Sequence, residues 1–270
     1  MEAVDKVFAG SIPEIYERSL VPLLFEPYAL DLADRLAESE PKDILETAAG
    51  TGILTRAVAS RVPANARIVA TDLNQSMLDH ARTRFSREDR VEWRQADALA
   101  LPFPDQTFDA VACQFGVMFF PDKLQGFSEA IRVLRPGGRF LFNVWDRISE
   151  NEFADVITEE LATLFPQDPP LFLARTPHGY HDVEKIRQKL KAAGFGNVSS
   201  EAVDRESKAS SPLDVAIAYC QGTPLRNEIV ARDASRLEET TQRAAEALAR
   251  RFGSKAIEGR IRAFVINAAR

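Results

Sequence analysis

The chain has 270 residues and a formal net charge of −6, from 34 Lys and Arg against 40 Asp and Glu. This acidity argues against a nucleic-acid backbone as the main partner. Two cysteines are too few for a disulfide scaffold of this length. No apolar run reaches the length of a membrane helix, and acidic residues near the N-terminus argue against a signal peptide. The sequence therefore predicts a cytoplasmic protein with a sizeable core and no membrane span.

The middle of the sequence alternates short apolar runs, typical of buried strands, with segments of helical periodicity. Because strand and helix alternate strictly, the strands should be parallel and joined by right-handed crossovers, as in a doubly wound α/β sheet. The predicted strands are 43–45, 68–71, 91–95, 108–113 and 140–145, and the predicted helices between them are 53–60, 76–85 and 124–134.

After the fifth predicted strand the alternation ends. The first forty residues form one or two helical pieces broken by Pro13, Pro22 and Pro27, which suit a lid better than a core. We predict a single domain with a core at 41–146, N-terminal lid helices at 1–40, helical cap insertions at 147–180 and 207–254, and a final strand at 255–270.

An acidic turn follows the first predicted strand. It runs from Glu46 to Gly52 and leads directly into a helix. Small residues let the backbone approach a ligand closely, and a helix N-terminus presents free N–H groups. A carboxylate at this point repels phosphate, so the turn favours a ligand with a cationic group. The alternative is a turn that binds no ligand.

Two more acidic residues follow the next predicted strands. Asp72 ends the second strand, where a carboxylate can accept hydrogen bonds from ribose hydroxyls; alternatively it caps the following helix. Asp97 follows the third strand, where it can accept from an adenine amino group while the N–H of Ala98 donates to the ring; alternatively it is an ordinary turn residue. Met77, on the helix after Asp72, either packs its thioether against a flat ring of the ligand or fills the core.

These three acids lie at the carboxyl ends of consecutive strands. In an open α/β sheet the ligand binds in the crevice at that edge. One acid would face a cationic amine, one a ribose and one an adenine. The ligand that needs all three and carries no phosphate is S-adenosylmethionine.

At these motifs the chain resembles the class I S-adenosylmethionine-dependent methyltransferases, in the small-molecule group that includes the ubiquinone and menaquinone biosynthesis methyltransferases. Ala48 stands where that family usually has its first glycine. The resemblance covers just over a third of the chain. The matching motifs are 46–52, Asp72, 95–98, 108–111 with 114–115, and 134–139.

The resemblance implies a Rossmann-like sheet of seven mostly parallel strands, with the last strand antiparallel to the rest. It also implies S-adenosylmethionine as the cofactor. The residues implied at the cofactor are Glu46, Ala48 and Gly50 near the methionine part, Asp72 and Leu73 at the ribose, Asp97 and Ala98 at the adenine, Gln114 and Phe115 through backbone groups, and Tyr16 as a tyrosine that closes over the site.

Methyl transfer from a sulfonium is an in-line displacement that depends on alignment and on exclusion of water. We therefore name no catalytic residue and expect no metal. Phe119 is predicted to form part of an apolar wall for the acceptor, and His178 and Tyr180 to supply a base or a hydrogen-bond donor from a lid loop. The alternatives are core packing for Phe119 and a loop in which Asp182 caps the next helix.

Methylation of a small-molecule acceptor is the predicted function. The alternative is a catalytically silent scaffold or regulatory module that binds S-adenosylmethionine. A nucleic-acid methyltransferase is disfavoured by the acidic charge and by the absence of an Asn-Pro-Pro-Tyr motif, since 113–116 stand in its place. A nicotinamide dehydrogenase is disfavoured because the first turn lacks the Gly-x-Gly-x-x-Gly spacing.

Overall fold

A computed structural model describes residues 12–85 and 90–270. The strands of this part of the chain are β1 (Asp43–Glu46), β2 (Arg67–Asp72), β3 (Val91–Gln95), β4 (Phe108–Gln114), β5 (Leu134–Trp145), β6 (Val198–Ala209) and β7 (Ile257–Ala269). They form one seven-stranded sheet in the order β3-β2-β1-β4-β5-β7-β6.

Four of the strand pairs are parallel. β1 pairs with β2 and with β4, β2 pairs with β3, and β4 pairs with β5. β7 runs antiparallel to β5, because the Arg270 N–H donates to the Gly138 carbonyl while the Asp146 N–H donates to the Arg262 carbonyl. The predicted doubly wound sheet with an antiparallel last strand is therefore confirmed.

Helices connect most of the strands. The α-helices are α1 (Ile12–Ile15), α2 (Glu26–Ala37), α3 (Ile53–Arg61), α4 (Gln75–Arg84), α5 (Lys123–Val133), α6 (Glu152–Leu164), α7 (Phe172–Arg175), α8 (Val183–Ala192), α9 (Pro212–Gln221), α10 (Leu225–Arg232) and α11 (Leu237–Phe252). A π-helical segment spans Tyr16–Phe25, and short 3₁₀ turns span Val117–Phe119, Ile148–Glu150 and Ala234–Arg236. Among the described residues, no helix combines the length and the apolar character needed to cross a bilayer.

Side-chain caps fix where some of these helices begin. The Asp182 carboxylate accepts from the Lys185 N–H at the start of α8, so the cap that the alternative interpretation of this loop gave to Asp182 is present. The Ser211 hydroxyl accepts from the Asp214 N–H at the start of α9. Each cap satisfies one of the N–H groups that a helix N-terminus leaves without an internal partner.

The strand order reverses between β1 and β4. The chain passes from β1 to β2 and β3 on one side, and then returns to β4 on the other side of β1. The reversal leaves a crevice outside the carboxyl ends of β1 and β4, which is where doubly wound sheets bind ligands. The central strands are buried on both faces, so they are almost continuously apolar.

The described chain divides into two compact units. The first contains residues up to Phe25 together with 145–180 and 204–263, and the second contains 26–144, 181–203 and 264–270. In the first unit, the buried Glu160 of α6 binds Arg243 and Arg250 of α11. In the second unit, the rings of Phe140 and Phe142 pack with their centroids 4.7 Å apart.

The sequence prediction differs from the structure mainly after β5. The helical cap insertion predicted at 207–254 contains α9, α10, a 3₁₀ turn and α11. α10 follows Pro224, which restricts the backbone at the point where this short helix starts. β6 continues to Ala209, so the predicted insertion at 207–254 begins inside that strand. The predicted division into a core with lids stays a prediction.

The turns that follow β1 and β4 interlock. Ala48 in the first turn has a left-handed backbone, with φ of 53°, and Phe115 in the second has φ of 49°. A Cβ added to Gly116 would lie 2.5 Å from the Ala48 Cβ and 2.7 Å from the Cys113 Sγ. Because Gly116 has no side chain, there is room for the Ala48 methyl group. Ala48 stands at the position where the family usually has glycine.

We expect Gly116→Ala to lower the free energy of unfolding by about 1–3 kcal/mol, because overpacking forces side chains and backbone to shift. Ala48→Gly removes one of the two clashing methyl groups, so the double variant should recover part of that loss. Chemical denaturation of the four proteins of this cycle measures the coupling. Strictly additive changes in the free energy of unfolding would contradict the close packing of Gly116 against Ala48.

Candidate functional site

The predicted acidic residues lie at one edge of the sheet in the second unit. Glu46 is the last residue of β1, Asp72 is the last residue of β2, and Asp97 follows the end of β3 by two residues. Because these strands are parallel, their carboxyl ends meet at the same edge. Gln114 ends β4 at this edge as well.

Glu46 is held rigidly in a buried position. Glu46 is only 3% exposed, and its Oε2 accepts a hydrogen bond from the Thr55 hydroxyl over 2.6 Å. The Thr71 hydroxyl donates to the Glu46 backbone carbonyl over 2.9 Å. Burial raises the pKa of Glu46 to about 8, and the charge of Asp72 acts in the same direction. The Thr55 hydrogen bond and the charge of Arg56 oppose this shift in the pKa of Glu46.

Asp72 organises the first turn as well as ending a strand. Its Oδ2 accepts from the Gly50 N–H over 2.9 Å, and its Oδ1 accepts from the Asn74 N–H over 2.8 Å. Burial raises the pKa of Asp72, and these backbone hydrogen bonds oppose the shift. The Oδ1 atom also accepts from Nδ2 of Asn74 over 3.4 Å, whereas Oδ2 has a second lone pair that can still accept from a ribose hydroxyl. Asn74, rather than Asp72, is the residue at the N-cap of α4.

The turn over 46–52 needs its glycines. Gly50 and Gly52 have positive φ values of 56° and 80°. A residue with a side chain adopts such a backbone conformation only at a cost in free energy. A Cβ at Gly52 would also lie 2.8 Å from the Trp93 ring. Met77 is buried, and its Cε lies 3.7 Å from the place of a Cβ at Gly50. At Gly50 and Gly52 the backbone therefore carries no side chain that would obstruct close approach of a ligand.

The residues expected at the adenosine are more exposed. Leu73 is 44% exposed although it is a large apolar residue. Asp97 is exposed, and its Oδ1 accepts from the Leu99 N–H over 2.9 Å. Ala98 is half-buried. An exposed leucine and an exposed carboxylate at this edge suit a flat ring with hydrogen-bonding edges, and the adenosine contacts of these residues stay predictions.

Phe115 belongs to the core. It is 6% exposed, and its ring meets the ring of Tyr28 edge-on with the centroids 5.4 Å apart. Its N–H donates to Oδ1 of Asn143 over 2.9 Å. Asn143 was not predicted as a site residue, although one polar residue inside the apolar run of β5 was a signal that could have found it. The predicted approach of Gln114 and Phe115 to the cofactor through backbone groups stays a prediction.

His178 lies in the first unit and is 5% exposed. Its Nδ1 is 2.9 Å from the Asp146 carbonyl oxygen. A carbonyl only accepts hydrogen bonds, so Nδ1 donates, and in the neutral ring the lone pair is on Nε2. The His178 ring also packs at 5.9 Å from the ring of Trp145.

Three other predicted site residues lie in different surroundings. Tyr16, in the first unit, stacks on Phe25 with the ring centroids 5.0 Å apart. Tyr180 is half-buried in the same unit, and Phe119 is half-buried in the second unit at the end of a 3₁₀ turn. Their predicted contacts with cofactor or acceptor stay predictions. Within residues 12–85 and 90–270, no group of three His, Cys, Asp or Glu side chains is arranged to hold a metal ion.

Comparison with known proteins identifies the family. A methyltransferase domain family matches residues 44–138. A demethylmenaquinone methyltransferase of Deinococcus radiodurans is 32% identical over 206 residues, which are 72% of this chain and 85% of that protein. A ubiquinone/menaquinone biosynthesis C-methyltransferase of Hahella chejuensis is 44% identical over 164 residues, which are 56% of this chain and 66% of that protein.

A solved structure has the same fold. It is phosphoethanolamine N-methyltransferase 2 of Haemonchus contortus, in complex with phosphomonomethylethanolamine and S-adenosylhomocysteine. The TM-score is 0.60 at 17% identity, and the match covers 99% of this chain and 59% of that one. The chain described here thus belongs to the S-adenosylmethionine-dependent methyltransferases, in the family that contains the demethylmenaquinone methyltransferases, and its cofactor is S-adenosylmethionine.

Proposed function

We propose that this methyltransferase methylates a ring carbon of a small quinone-type acceptor in its reduced, hydroquinone form. The observation that carries the proposal is the 32% identity with the Deinococcus demethylmenaquinone methyltransferase over 85% of that protein. The Hahella relative also has a quinone pathway in its name and is described as a C-methyltransferase. Both names support a quinone-type acceptor, and the Hahella name supports methylation at carbon.

The acidic edge of the second unit suits the three parts of S-adenosylmethionine. Glu46 supplies negative charge for the ammonium group, and Asp72 has acceptor capacity for the ribose hydroxyls. Asp97 and the N–H of Ala98 suit the adenine edge. Because Glu46 and Asp72 are both buried, their attraction to a cation is less screened than it would be in water.

When bound, S-adenosylmethionine supplies a methyl group on a sulfonium, so the acceptor carbon gains a C–C bond while the C–S electron pair stays on sulfur. The protein then needs to align the acceptor with the methyl group and to exclude water. The rigid turn at 46–52, held by Asp72, serves the alignment. The proton of the methylated ring carbon leaves to a base or to water.

His178 stays proposed for the acceptor, as a base or as a hydrogen-bond donor. Its Nδ1–H donates to the Asp146 carbonyl, which fixes the ring and puts the basic lone pair on Nε2. Phe119 and Tyr180 stay proposed as acceptor contacts.

Incubation of the protein with S-adenosylmethionine and reduced demethylmenaquinone tests the proposed function. We expect S-adenosylhomocysteine and a quinone that has gained one methyl group on its ring, both detected by mass spectrometry. Methylation of amine or phenol acceptors in preference to hydroquinones would overturn the acceptor class. Binding of the cofactor without turnover of any acceptor would identify a silent binding module instead.

The buried Glu46 carboxyl gives a pH-dependent prediction. Its pKa of about 8 in the folded protein exceeds its value of about 4.5 in the unfolded chain. The folded state therefore binds more protons between these values, and the contribution of Glu46 to stability falls as pH rises from about 4.5 to about 8. In the ligand-free protein, we expect Glu46→Gln to raise the free energy of unfolding by about 1–3 kcal/mol near pH 8 and to leave it nearly unchanged near pH 5.

Glu160→Gln is the matched control. Glu160 is also buried, but it binds Arg243 and Arg250, so removal of its charge should lower the free energy of unfolding near pH 8. Denaturant titrations at the two pH values measure both effects. A Glu46→Gln variant that is less stable than wild type near pH 8 would contradict the assigned cost of burying this carboxylate.

His178→Asn keeps a donor for the Asp146 carbonyl but removes the base. If His178 is the base, we expect the variant to lower kcat by about 10²-fold or more, in the range of general base catalysis. The Kd of S-adenosylhomocysteine should stay within about twofold of wild type, because His178 is not among the residues proposed at the cofactor. His80→Asn, on α4, is the control and should leave kcat unchanged. Equal kcat for His178→Asn and wild type across the pH profile would exclude His178 as the base.

A further inference from the structure

Asn143 is a buried polar residue within an apolar strand. It is 0% exposed, and its neighbours Phe142 and Val144 are also fully buried. In the pairing of β4 and β5 it lies opposite Gln114, the last residue of β4. It therefore lies at the same carboxyl edge as the acidic residues, next to the point where the strand order reverses. A polar side chain in such a place costs free energy unless its hydrogen-bonding groups are matched.

The side-chain carbonyl of Asn143 accepts a hydrogen bond from the turn after β4. The Phe115 N–H donates to Oδ1 over 2.9 Å, while Phe115 has the left-handed φ of 49° that a non-glycine residue rarely adopts. This hydrogen bond holds the strained residue in place. It also fixes the orientation of the amide, because the atom that accepts from an N–H has to be the oxygen.

The turn that contains Phe115 packs against the first turn of the site, at 46–52. Gly116 follows Phe115 and has no room for a side chain beside the Ala48 methyl group. A shift of the Phe115 peptide would therefore be transmitted to Ala48. The resemblance to the family places Ala48, Gln114 and Phe115 near the methionine part of the cofactor. Asn143 therefore supports the turn after β4 directly, and the turn at Ala48 through Gly116.

The amide nitrogen of Asn143 is not matched. Within the described residues its Nδ2 is buried and has no hydrogen-bond partner. Buried donors in folded proteins are almost always paired with protein, water or ligand. An orphaned donor at the edge where the ligand binds indicates a partner that arrives with the ligand.

We propose that Asn143 is a positioning residue for the methionine half of the cofactor. Its Oδ1 holds Phe115 and, through Gly116, the turn at Ala48, and its Nδ2 donates to an acceptor oxygen at the amino-acid end of the cofactor, directly or through a water bound there. This inference rests on the binding of S-adenosylmethionine at the acidic edge. It predicts that loss of Asn143 weakens the binding of ligands that carry the amino-acid end and leaves the binding of ligands that lack it nearly unchanged.

Two ligands separate these cases. S-adenosylhomocysteine carries the amino-acid end, whereas 5′-methylthioadenosine has the same adenosine and sulfur without it. We expect Asn143→Leu to weaken S-adenosylhomocysteine about tenfold or more by calorimetry and to leave the Kd of 5′-methylthioadenosine within about twofold. Asn143→Asp keeps an acceptor for the Phe115 N–H but replaces the donor by an acceptor, so it should show the same selective loss if Nδ2 donates to the ligand.

Asn151→Leu is the matched control. Asn151 is also buried, and its Oδ1 accepts from the Arg262 N–H over 3.1 Å, but it lies in the first unit. This control should lower the melting temperature and leave the ratio of the two Kd values unchanged. If Asn143→Leu does not fold, Asn143→Ser, which is too short to reach Phe115, provides the same comparison.

Equal weakening of both ligands by the Asn143 variants would overturn the proposal, because it would show a general structural role. Unchanged affinity for S-adenosylhomocysteine in Asn143→Leu would overturn it too, and unchanged affinity in Asn143→Asp would overturn the role of Nδ2. A wild-type protein that binds neither ligand would instead refute the cofactor assignment on which the inference rests.

Discussion

Two carboxylates are buried at the ends of adjacent parallel strands, and the rest of the site depends on them. Desolvation raises the pKa of both Glu46 and Asp72, so the ligand-free protein carries an electrostatic cost. Hydrogen bonds from Thr55, Gly50 and Asn74 offset part of it. A neutral residue at Glu46 would avoid this cost, as is usual when buried charges are replaced. We propose that a ligand which brings positive charge into the same low-dielectric edge offsets the cost of the carboxylate.

The fold and the acidic residues could be predicted because they depend on local patterns. Buried parallel strands are short apolar runs, and the glycine turn lies directly between one of them and a helix. Parallel strands bring their carboxyl ends to one edge, so the order of strands along the chain was enough to bring Glu46 and Asp72 together. The antiparallel β7 came from the family resemblance, and the β5–β7 hydrogen bonds agree with it.

The features that the sequence did not reveal depend on contacts between distant residues. Gly116 is an ordinary loop glycine in the sequence, and only the fold brings it against Ala48. Asn143 lies 28 residues from the Phe115 N–H that it binds, so its role follows from strand register. The second role of Asp72, which holds the Gly50 N–H, likewise appears only when β1 and β2 are side by side. The helix α10 was harder to place because it has only eight residues and begins directly after Pro224.

The central claim is that the buried Glu46 carboxylate binds the cationic end of the cofactor, and proton counting tests it most directly. Titration of S-adenosylhomocysteine at about pH 7, in buffers of different ionisation enthalpy, gives the number of protons released on binding. Glu46 has a pKa of about 8 without ligand, and a bound ammonium group should lower that pKa. The account predicts release of nearly one proton by wild type, and almost none by Glu46→Gln or by wild type well above pH 8. Equal proton release by wild type and Glu46→Gln at about pH 7 would contradict it.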